Sequence, residues 1–478
     1  MKIREIILLV ILLAIASFTA KAQQYAQTYH VAGKHNSKIS DYFTDYELDI
    51  KGAISVNDDD TKIISISPNG YLKISKKTFG NKRSLAVESS SKGNLTYSYY
   101  EGRKEVDFYP EGEKWLSEIL IDVVRITGID AEARTKRIYA KGGIRAFIDE
   151  VDKIPSNSVA GLYFRSLLCS NKLHQDETIM VLDAISRDIS SNSERGKLYR
   201  EFSGLFLENN AIASEYFMAI SQLSSNSEMG SVLQSITHKI DFGSADIIET
   251  FFTCIDRMSS NVEASRVLIY TDGHQKLGDE AYVRLLQSVG KLSSNVEMGN
   301  ILRTLQHLNL QNPNVSNAYF STISGMSSNT ESASVLMHTI NNYELNSDNW
   351  IELLDVSGKL SSNTEMGKVL RTALHRMPFD KNEVDAFSSA ARRMSSNVEL
   401  SRVLTEMIHS PKFNKYVCEQ LLSSARTMSS DVEKVKVLKE VSKTNFIQDQ
   451  EIKKAYFSVA KTISSTSEYQ DAMDVLLK

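Results

Sequence analysis

The chain has 478 residues, of which 42% are hydrophobic and 24% are charged, so it holds enough apolar material for a large buried core. Fifty-five lysines and arginines against 59 aspartates and glutamates leave a net charge of −4. This balance argues against binding of nucleic acid or of an anionic membrane, because both need a clustered basic face.

The first 22 residues, 1–22, have the pattern of a secretory signal peptide. Lys2 and Arg4 precede an apolar run over residues 6–16, and residues 20–22 form an A-x-A cleavage site. The run is far shorter than the roughly 20 residues of a membrane-spanning helix. We therefore expect an exported, soluble protein without a transmembrane span after cleavage, periplasmic or secreted in a Gram-negative bacterium.

Residues 23–44 are interpreted as a linker, and residues 45–110 as an antiparallel β-meander domain. From Tyr46 to Val56, apolar side chains fall on even positions and polar ones on odd positions, which is typical of a half-buried strand. The same parity continues through Ile64 and Ile66 and beyond the turn Ser67–Gly70. The pattern predicts five or six antiparallel strands with one apolar face.

One acidic cluster in this domain, Asn57–Asp60, raises the question of a metal site. A calcium-binding EF-hand loop places a glycine at its sixth position and a glutamate at its twelfth, and neither follows here. A polar hairpin turn is the interpretation that the residues favour.

The segment 111–154 is interpreted as a helical connector. Its first part predicts a helix whose apolar stripe covers the sheet. The stripe consists of Trp115, Leu116, Ile119, Leu120, Val123 and Val124.

Residues 155–478 repeat a motif of the form S-S-N-x-E every 34 or 35 residues. Its first serine falls at positions 190, 224, 259, 293, 327, 361, 395, 429 and 464, and a degenerate copy begins at Pro155. Apolar residues recur at helical spacing before and after each motif. Regular self-similarity at this period predicts a mainly α protein, an α-solenoid of about ten two-helix repeats.

The second serine and the glutamate of each motif have the spacing of a helix capping box. In that box, the serine hydroxyl accepts the backbone N–H of the glutamate, and the carboxylate accepts the backbone N–H of the serine. The predicted pairs are Ser191 and Glu194, Ser225 and Glu228, Ser260 and Glu263, Ser294 and Glu297, Ser328 and Glu331, Ser362 and Glu365, Ser396 and Glu399, Ser430 and Glu433, and Ser465 and Glu468. These caps predict that every second helix begins at the same point of its repeat.

Two features of the motif leave alternatives open. The asparagine is assigned to hydrogen bonding in the turn, but the Ser-Asn-Glu rows could instead form a polar ladder that binds a polymer or cations. Two residues after most of the glutamates, a small residue predicts close approach of a neighbouring helix. These residues are Gly196, Gly230, Gly299, Ala333, Gly367 and Ser401.

The remaining reactive residues predict no metal, cofactor or catalytic centre. The histidines of alternate repeats are too far apart to share one metal ion, and the three sparse cysteines predict buried free thiols rather than disulfides. They are His238, His307, His375 and His409, with Cys169, Cys254 and Cys418. The sequence also lacks a G-x-S-x-G elbow, an H-E-x-x-H motif and a P-loop lysine.

In period and architecture, the helix pairs resemble tetratricopeptide and HEAT-type α-solenoids. The Trp, Leu-Gly and Tyr pattern of tetratricopeptide repeats is absent, so the resemblance concerns the fold. Asn57–Ile74, followed by capped helical repeats, is also similar to a family of exported bacterial proteins with an N-terminal β domain and 34-residue repeats. That resemblance implies a role in the cell envelope and transfers no catalytic residue.

Together these features predict a non-enzymatic scaffold that binds a protein or peptide partner along the solenoid surface. A glycan or cell-wall polymer binding module is the alternative, motivated by 20 tyrosines whose rings can stack on sugars. An unrecognised hydrolase is a third hypothesis, and homodimerisation stays open.

Overall fold

The computed structural model describes residues 27–32 and 44–477. Along the sequence, the described chain divides into two compact units between Glu228 and Met229. The first unit holds a β domain and the first repeats, and the second holds the repeats that follow. The predicted fold class is confirmed, because the chain is mainly α, with two-helix repeats preceded by an antiparallel sheet.

In the described residues, six strands form one antiparallel sheet in the order β1-β2-β5-β6-β7-β8, and β3 pairs with β4 as a separate hairpin. The strands are β1 Gln27–Ala32, β2 Thr44–Lys51, β3 Ile54–Val56, β4 Ile63–Ile66, β5 Tyr71–Thr78, β6 Asn81–Ser89, β7 Leu95–Glu101 and β8 Lys104–Val106. The linker interpretation of residues 23–44 is wrong for β1, which pairs with β2 along its whole length. The predicted signal peptide, residues 1–22, lies outside the described residues.

The hairpin of β3 and β4 departs from the predicted alternation. Ser55 lies opposite Ser65, but Val56 lies opposite Ile63, so Ile64 is the extra residue of a β-bulge. Ile63 and Ile66 are buried, whereas Ile64 is 61% exposed. The prediction that Ile64 lies on the apolar face is therefore wrong, because a bulge reverses the parity within one strand.

The helix Glu113–Thr127 covers the apolar face of the sheet, as predicted. Trp115, Leu116 and Leu120 share one buried cluster with sheet residues such as Leu48 and Leu72. Burial of this apolar surface is the main stabilising term for a small sheet. The helix is part of the same unit as the sheet and shares its core.

Ten helix pairs follow in the part of the chain that the structure describes, and we call their members helix A and helix B. The pairs are Ala131–Val151 with Asn157–Ser170, Gln175–Asp188 with Asn192–Glu201, Asn210–Ser221 with Asn226–Ile236, Ala245–Asp256 with Asn261–His274, Asp279–Gly290 with Asn295–Thr304, Pro313–Ser324 with Asn329–Asn342, Ser347–Ser357 with Asn363–Arg376, Lys381–Arg392 with Asn397–Ile408, Lys415–Ala425 with Asp431–Ser442, and Gln450–Ala460 with Thr466–Leu477. The first helix A lies within the predicted connector, 111–154. A short helix, Ser203–Phe206, follows helix B of the second repeat.

Within the second unit, helix A packs against helix A of the next repeat, and helix B packs against the next helix B. The apolar stripe of each helix A is the reason for this order. In the fifth repeat, Tyr282, Leu285, Leu286 and Val289 are almost fully buried. The helices therefore form two layers, and the outer face of each helix B is left to solvent.

Candidate interaction surface on the second helices

The second serine of every motif caps its own helix B. In all nine regular copies, its Oγ accepts a hydrogen bond from the backbone N–H of the glutamate three residues on, at 3.2–3.4 Å. This is the hydroxyl half of the predicted capping box, and it satisfies one N–H that the helix itself cannot satisfy. The caps place every helix B at the same point of its repeat.

The reciprocal half of the predicted box is wrong for six repeats. There, the backbone N–H of the second serine donates to the asparagine or aspartate side chain of the preceding repeat, rather than to its own glutamate. The bonds run from Ser191 to Asn157, Ser328 to Asn295, Ser362 to Asn329, Ser396 to Asn363, Ser430 to Asn397 and Ser465 to Asp431, at 3.0–3.3 Å. Stacking of the repeats supplies an acceptor that the capping-box pattern does not contain.

The motif asparagine thus acts as a clamp between consecutive repeats. Asn363 shows the full arrangement: its Nδ2 donates to Ser395 Oγ at 3.0 Å, and its Oδ1 accepts from the backbone N–H of Ser395 at 2.8 Å. Asn261, Asn295, Asn329 and Asn397 also donate to the first serine of the next repeat. An amide supplies both the donor and the acceptor, which explains why the motif uses asparagine.

The glutamate carboxylate reaches back to the preceding repeat. Glu331 lies over Gly299, where an added Cβ would come within 2.5 Å of Glu331 Oε2, and it pairs with Arg303 at 3.0 Å. Glu228 over Gly196 with Arg200, and Glu399 over Gly367 with Arg371, repeat the arrangement. The predicted cause of the small position, a neighbouring helix, is therefore corrected: a carboxylate occupies that space.

These contacts leave one motif position exposed, the residue between the asparagine and the glutamate. In the second unit, this position holds valine or threonine in six consecutive repeats, and all six side chains are exposed. We call them the β-branched row: Val262, Val296, Thr330, Thr364, Val398 and Val432. The four valines are 45–54% exposed, so they are among the most exposed large apolar residues of the described chain.

A second row lies one helical turn further along the same face of helix B, because residues i and i+4 of a helix are neighbours on its surface. Its residues are Arg266, Asn300, Ser334, Lys368, Arg402 and Lys436, and we call them the cation row after its four charged members. Each of the four pairs with the glutamate of its own motif at 2.5–3.0 Å.

The regular surface is interrupted at one cavity of about 580 Å³ in the second unit. Helix B of the fifth repeat ends at Thr304, because Leu305 leaves the helical conformation and Asp272 accepts the backbone N–H of Gln306 at 3.0 Å. The cavity is lined by Leu305, Gln306, His307, Leu308, Asn309, His338, Asn342, Tyr343 and Glu344. Burial, followed by the charge of Arg303, lowers the pKa of His338. This shift favours the neutral form of its imidazole.

The first unit contains a buried network of charges that the sequence analysis did not identify. Arg134, which is 3% exposed, binds Asp60 at 2.7 Å and Glu150 at 2.8 Å, and Arg125 forms two hydrogen bonds with Glu150. Burial alone would raise the pKa of Glu150, but the hydrogen bond from Arg125 and the charge of Arg134 outweigh it and lower the pKa. The network ties the β hairpin to the first repeat.

The predicted turn at Asn57–Asp60 is present, since Asn57 Oδ1 accepts the backbone N–H groups of Thr61 and Lys62. Its last residue, Asp60, is part of the buried network. The position of Asp60 in a turn gave no sign of this partner, because Arg134 is 74 residues away in the sequence.

The described residues contain no group of three histidine, cysteine, aspartate or glutamate side chains that could hold a metal ion. His375 and His409 instead lie beside Glu406 and Glu440, at 3.2 and 3.5 Å. Cys254 and Cys418 are buried, as predicted, but Cys169 is exposed at the end of its helix, which corrects the prediction for that residue. None of the helices that the structure describes is long and apolar enough to cross a membrane.

No protein-family model matches the sequence, and a search of curated proteins found no match. Among solved structures, the crystal structure of the Chs5-Chs6 exomer cargo adaptor complex bound to a portion of Chs3 aligns with 86% of this chain and 84% of its own chain. The identity is 11% and the TM-score is 0.15. A likeness at this TM-score carries no argument about partner or function.

Proposed function

We propose that the protein is an exported, non-enzymatic scaffold of the bacterial cell envelope that binds a protein or peptide partner along its helix B layer. The β-branched row is the observation that supports this proposal. Six consecutive repeats expose a branched side chain at the same position, and the clamps hold these positions in register. A row of exposed branched side chains at one repeated position is a candidate for an interaction surface.

Stability of the fold gives no reason for the row. The position is the second residue of helix B, where an acidic side chain would interact favourably with the helix dipole. Valine and threonine are weak helix formers and lose side-chain freedom in a helix. The corresponding residues of the first two repeats are Ser158 and Ser193, and that of the last is Ser467, so the motif folds without a branched residue there.

Export and envelope location rest on the sequence of residues 1–22 and on the resemblance to exported bacterial proteins. The proposal of a binding role rather than catalysis rests on the form of the surface. Stacked repeats present extended faces of the kind that bind peptides and protein segments.

The test is chemical crosslinking of the mature protein in its own envelope fraction. A variant with Val262, Val296, Val398 and Val432 changed to serine removes the apolar part of the row. Met218→Ser is the matched control, because Met218 is 49% exposed, like Val432, but lies on a helix A. We expect the control to capture the same partner as the unchanged protein and the fourfold variant to lose it. Equal capture by both variants would refute the proposed site.

The cavity near His338 supports a second candidate, binding of a glycan. It combines a tyrosine ring with amide, carboxylate and imidazole groups, which suit the hydroxyl groups and the apolar face of a sugar. Its volume falls within the usual range for small-ligand sites. Titration calorimetry with cell-wall oligosaccharides tests it, and binding that survives His338→Leu and Asn342→Leu would exclude the cavity as the glycan site.

A further inference from the structure

On the basis of the proposed function, we infer that the partner segment is an extended acidic peptide. The peptide lies across the B helices and places an apolar side chain on the β-branched row at every third residue. Two observations carry this inference, the direction of the charges and the width of the row, together with the general spacing of packed helices. Both observations come from repeats four to nine, within the second unit.

The cation row presents positive charge to solvent while its counter-charges face inward. Arg402 is 63% exposed and its partner Glu399 is 11% exposed, and Lys436 and Glu433 show the same contrast, at 58% and 10%. Lys368 with Glu365 and Arg266 with Glu263 follow this order. A partner therefore meets cations and methyl groups, and carboxylates on that partner complement the charge.

The cations are distributed unevenly along the row. Lys368, Arg402 and Lys436 lie in three consecutive repeats, whereas the second and third positions of the row are the neutral Asn300 and Ser334. Arg303 hydrogen-bonds with both of these neutral residues. The acidic residues of the partner should therefore be concentrated over the seventh, eighth and ninth repeats.

The spacing of the repeats favours an extended partner. Neighbouring packed helices lie about 8–10 Å apart. Three residues of a polyproline-II segment advance about 9.3 Å and complete one turn, so every third side chain points to the same side. Every third side chain of such a segment thus meets the next repeat, and a segment of about 16 residues reaches all six repeats at this pitch.

The width of the row argues against a helical partner. An amphipathic helix docks its apolar face into a groove, but each repeat offers one branched residue, flanked by the polar turn on one side and by the cation row on the other. The cavity is lined by residues at the opposite end of the B helices, Leu305–Asn309 and His338 onward, and not by the row. One apolar contact per repeat matches an extended chain.

The test uses the full mature chain and fluorescein-labelled peptides of 16 residues, measured by fluorescence anisotropy. The probe peptide carries valine or leucine at every third position, with glutamates between them in one half. It is synthesised with this sequence and with the reversed sequence. Control peptides keep the composition but scramble the period, or replace glutamate with lysine. We expect one direction of the probe to bind at least tenfold more tightly than either control.

Protein variants locate the binding. Lys368→Gln, Arg402→Gln and Lys436→Gln together should weaken binding at least tenfold and reduce its salt dependence. The same change at Lys454, a lysine outside both rows on the last helix A, should leave it unchanged. The inference is overturned if the scrambled peptide binds equally well, which would indicate general charge attraction, or if the lysine peptide binds better.

These outcomes separate the inference from the proposed function. If the fourfold valine variant loses its envelope partner but the peptides do not discriminate by period or charge, the row binds a partner of another form and only the inference fails. If the valine variant keeps its partner, both fail. Inhibition of partner binding by polyphosphate, without inhibition by the acidic peptide, would identify a polyanion other than a peptide and would also overturn the inference.

Discussion

Substitution of Gly299 by alanine tests whether the glutamate of each motif holds consecutive repeats together. In an open helical position, glycine to alanine stabilises a helix by about 1 kcal/mol. At Gly299, however, the added Cβ would lie 2.5 Å from Glu331 Oε2 and 2.9 Å from an Arg303 Nη atom. Both side chains must move, and their ion pair, now 3.0 Å long, must lengthen or break.

The magnitude follows from the two opposing effects. Both side chains of the pair are about three-quarters buried, and a hydrogen bond to a charged group contributes about 1.5–3 kcal/mol. Loss of most of this, less the gain of about 1 kcal/mol in helix propensity, leaves Gly299→Ala destabilising by about 0.5–2 kcal/mol. In an Arg303→Met background, Glu331 is free to move aside, so the same substitution should stabilise the helix by up to about 1 kcal/mol.

Hydrogen exchange measured by mass spectrometry is the suitable assay, since repeat proteins open locally and do not unfold in one step. Opening free energies are compared for helices Asn295–Thr304 and Asn329–Asn342. Gly273→Ala is the control, because an added Cβ there meets open space, and we expect it to stabilise its helix slightly. A stabilising effect of Gly299→Ala in the unchanged background would refute the role assigned to Glu331.

Three other predictions concern stability. Asn329→Ala should destabilise the contact between the sixth and seventh repeats by about 1–2 kcal/mol. Asn329→Asp should destabilise it by less, because aspartate keeps the hydrogen-bond acceptor, as Asp431 does. Hydrogen exchange of helix Asn363–Arg376 measures both effects, and equal losses of stability would contradict the clamp. Since the pKa of Glu150 is lowered in the folded state, its contribution is present above the unfolded value of about 4.3 and is lost as the pH falls through the folded pKa. Thermal unfolding from pH 7 to pH 3 should therefore be less pH-dependent in Glu150→Gln, and an unchanged slope would count against the network. Arg134→Met should cost about 3–5 kcal/mol by leaving Asp60 and Glu150 without their buried partner. Chemical denaturation followed by the fluorescence of Trp115, in a Trp350→Phe background, measures this cost, and a value below about 1 kcal/mol would show that the network is not stabilising.

The repeat architecture could be predicted because its signals are local. The period of the motif, the apolar stripes and the serine cap all act within one repeat, and a cap links residues only three apart. Ser294 and Glu297 could therefore be placed from sequence, and the hydrogen bond from the glutamate N–H to the serine Oγ is present at 3.3 Å.

Contacts between repeats were missed because they join residues about 30 positions apart. The clamp of Asn363 on Ser395 and the pairing of Arg303 with Glu331 depend on how the helices stack. One signal was available in the sequence: Gly196, Gly299 and Gly367 are each followed four residues later by an arginine, whereas Gly230, Ala333 and Ser401 are not. A glycine followed by an arginine four residues later therefore indicates that a carboxylate from the next repeat occupies the space above the glycine.

The β domain shows the same limit. Alternation predicted the strands that face the helix Glu113–Thr127, but it did not predict the bulge at Ile64, and it gave no signal for β1. The β-branched row was visible in the sequence as Val262, Val296 and their equivalents. Its exposure became evident only when the helix B layer was seen to leave that position uncovered.

Footprinting of the protein in complex with its crosslinked envelope partner is the most direct test of binding at the β-branched row. Hydroxyl-radical labelling followed by mass spectrometry reports the solvent access of individual side chains. We expect labelling to fall in the complex at Val262, Val296, Val398 and Val432, whereas Met218 and Ile64, which are exposed outside the row, keep theirs. Unchanged labelling of the row, with protection elsewhere on the chain, would show that the partner binds another surface.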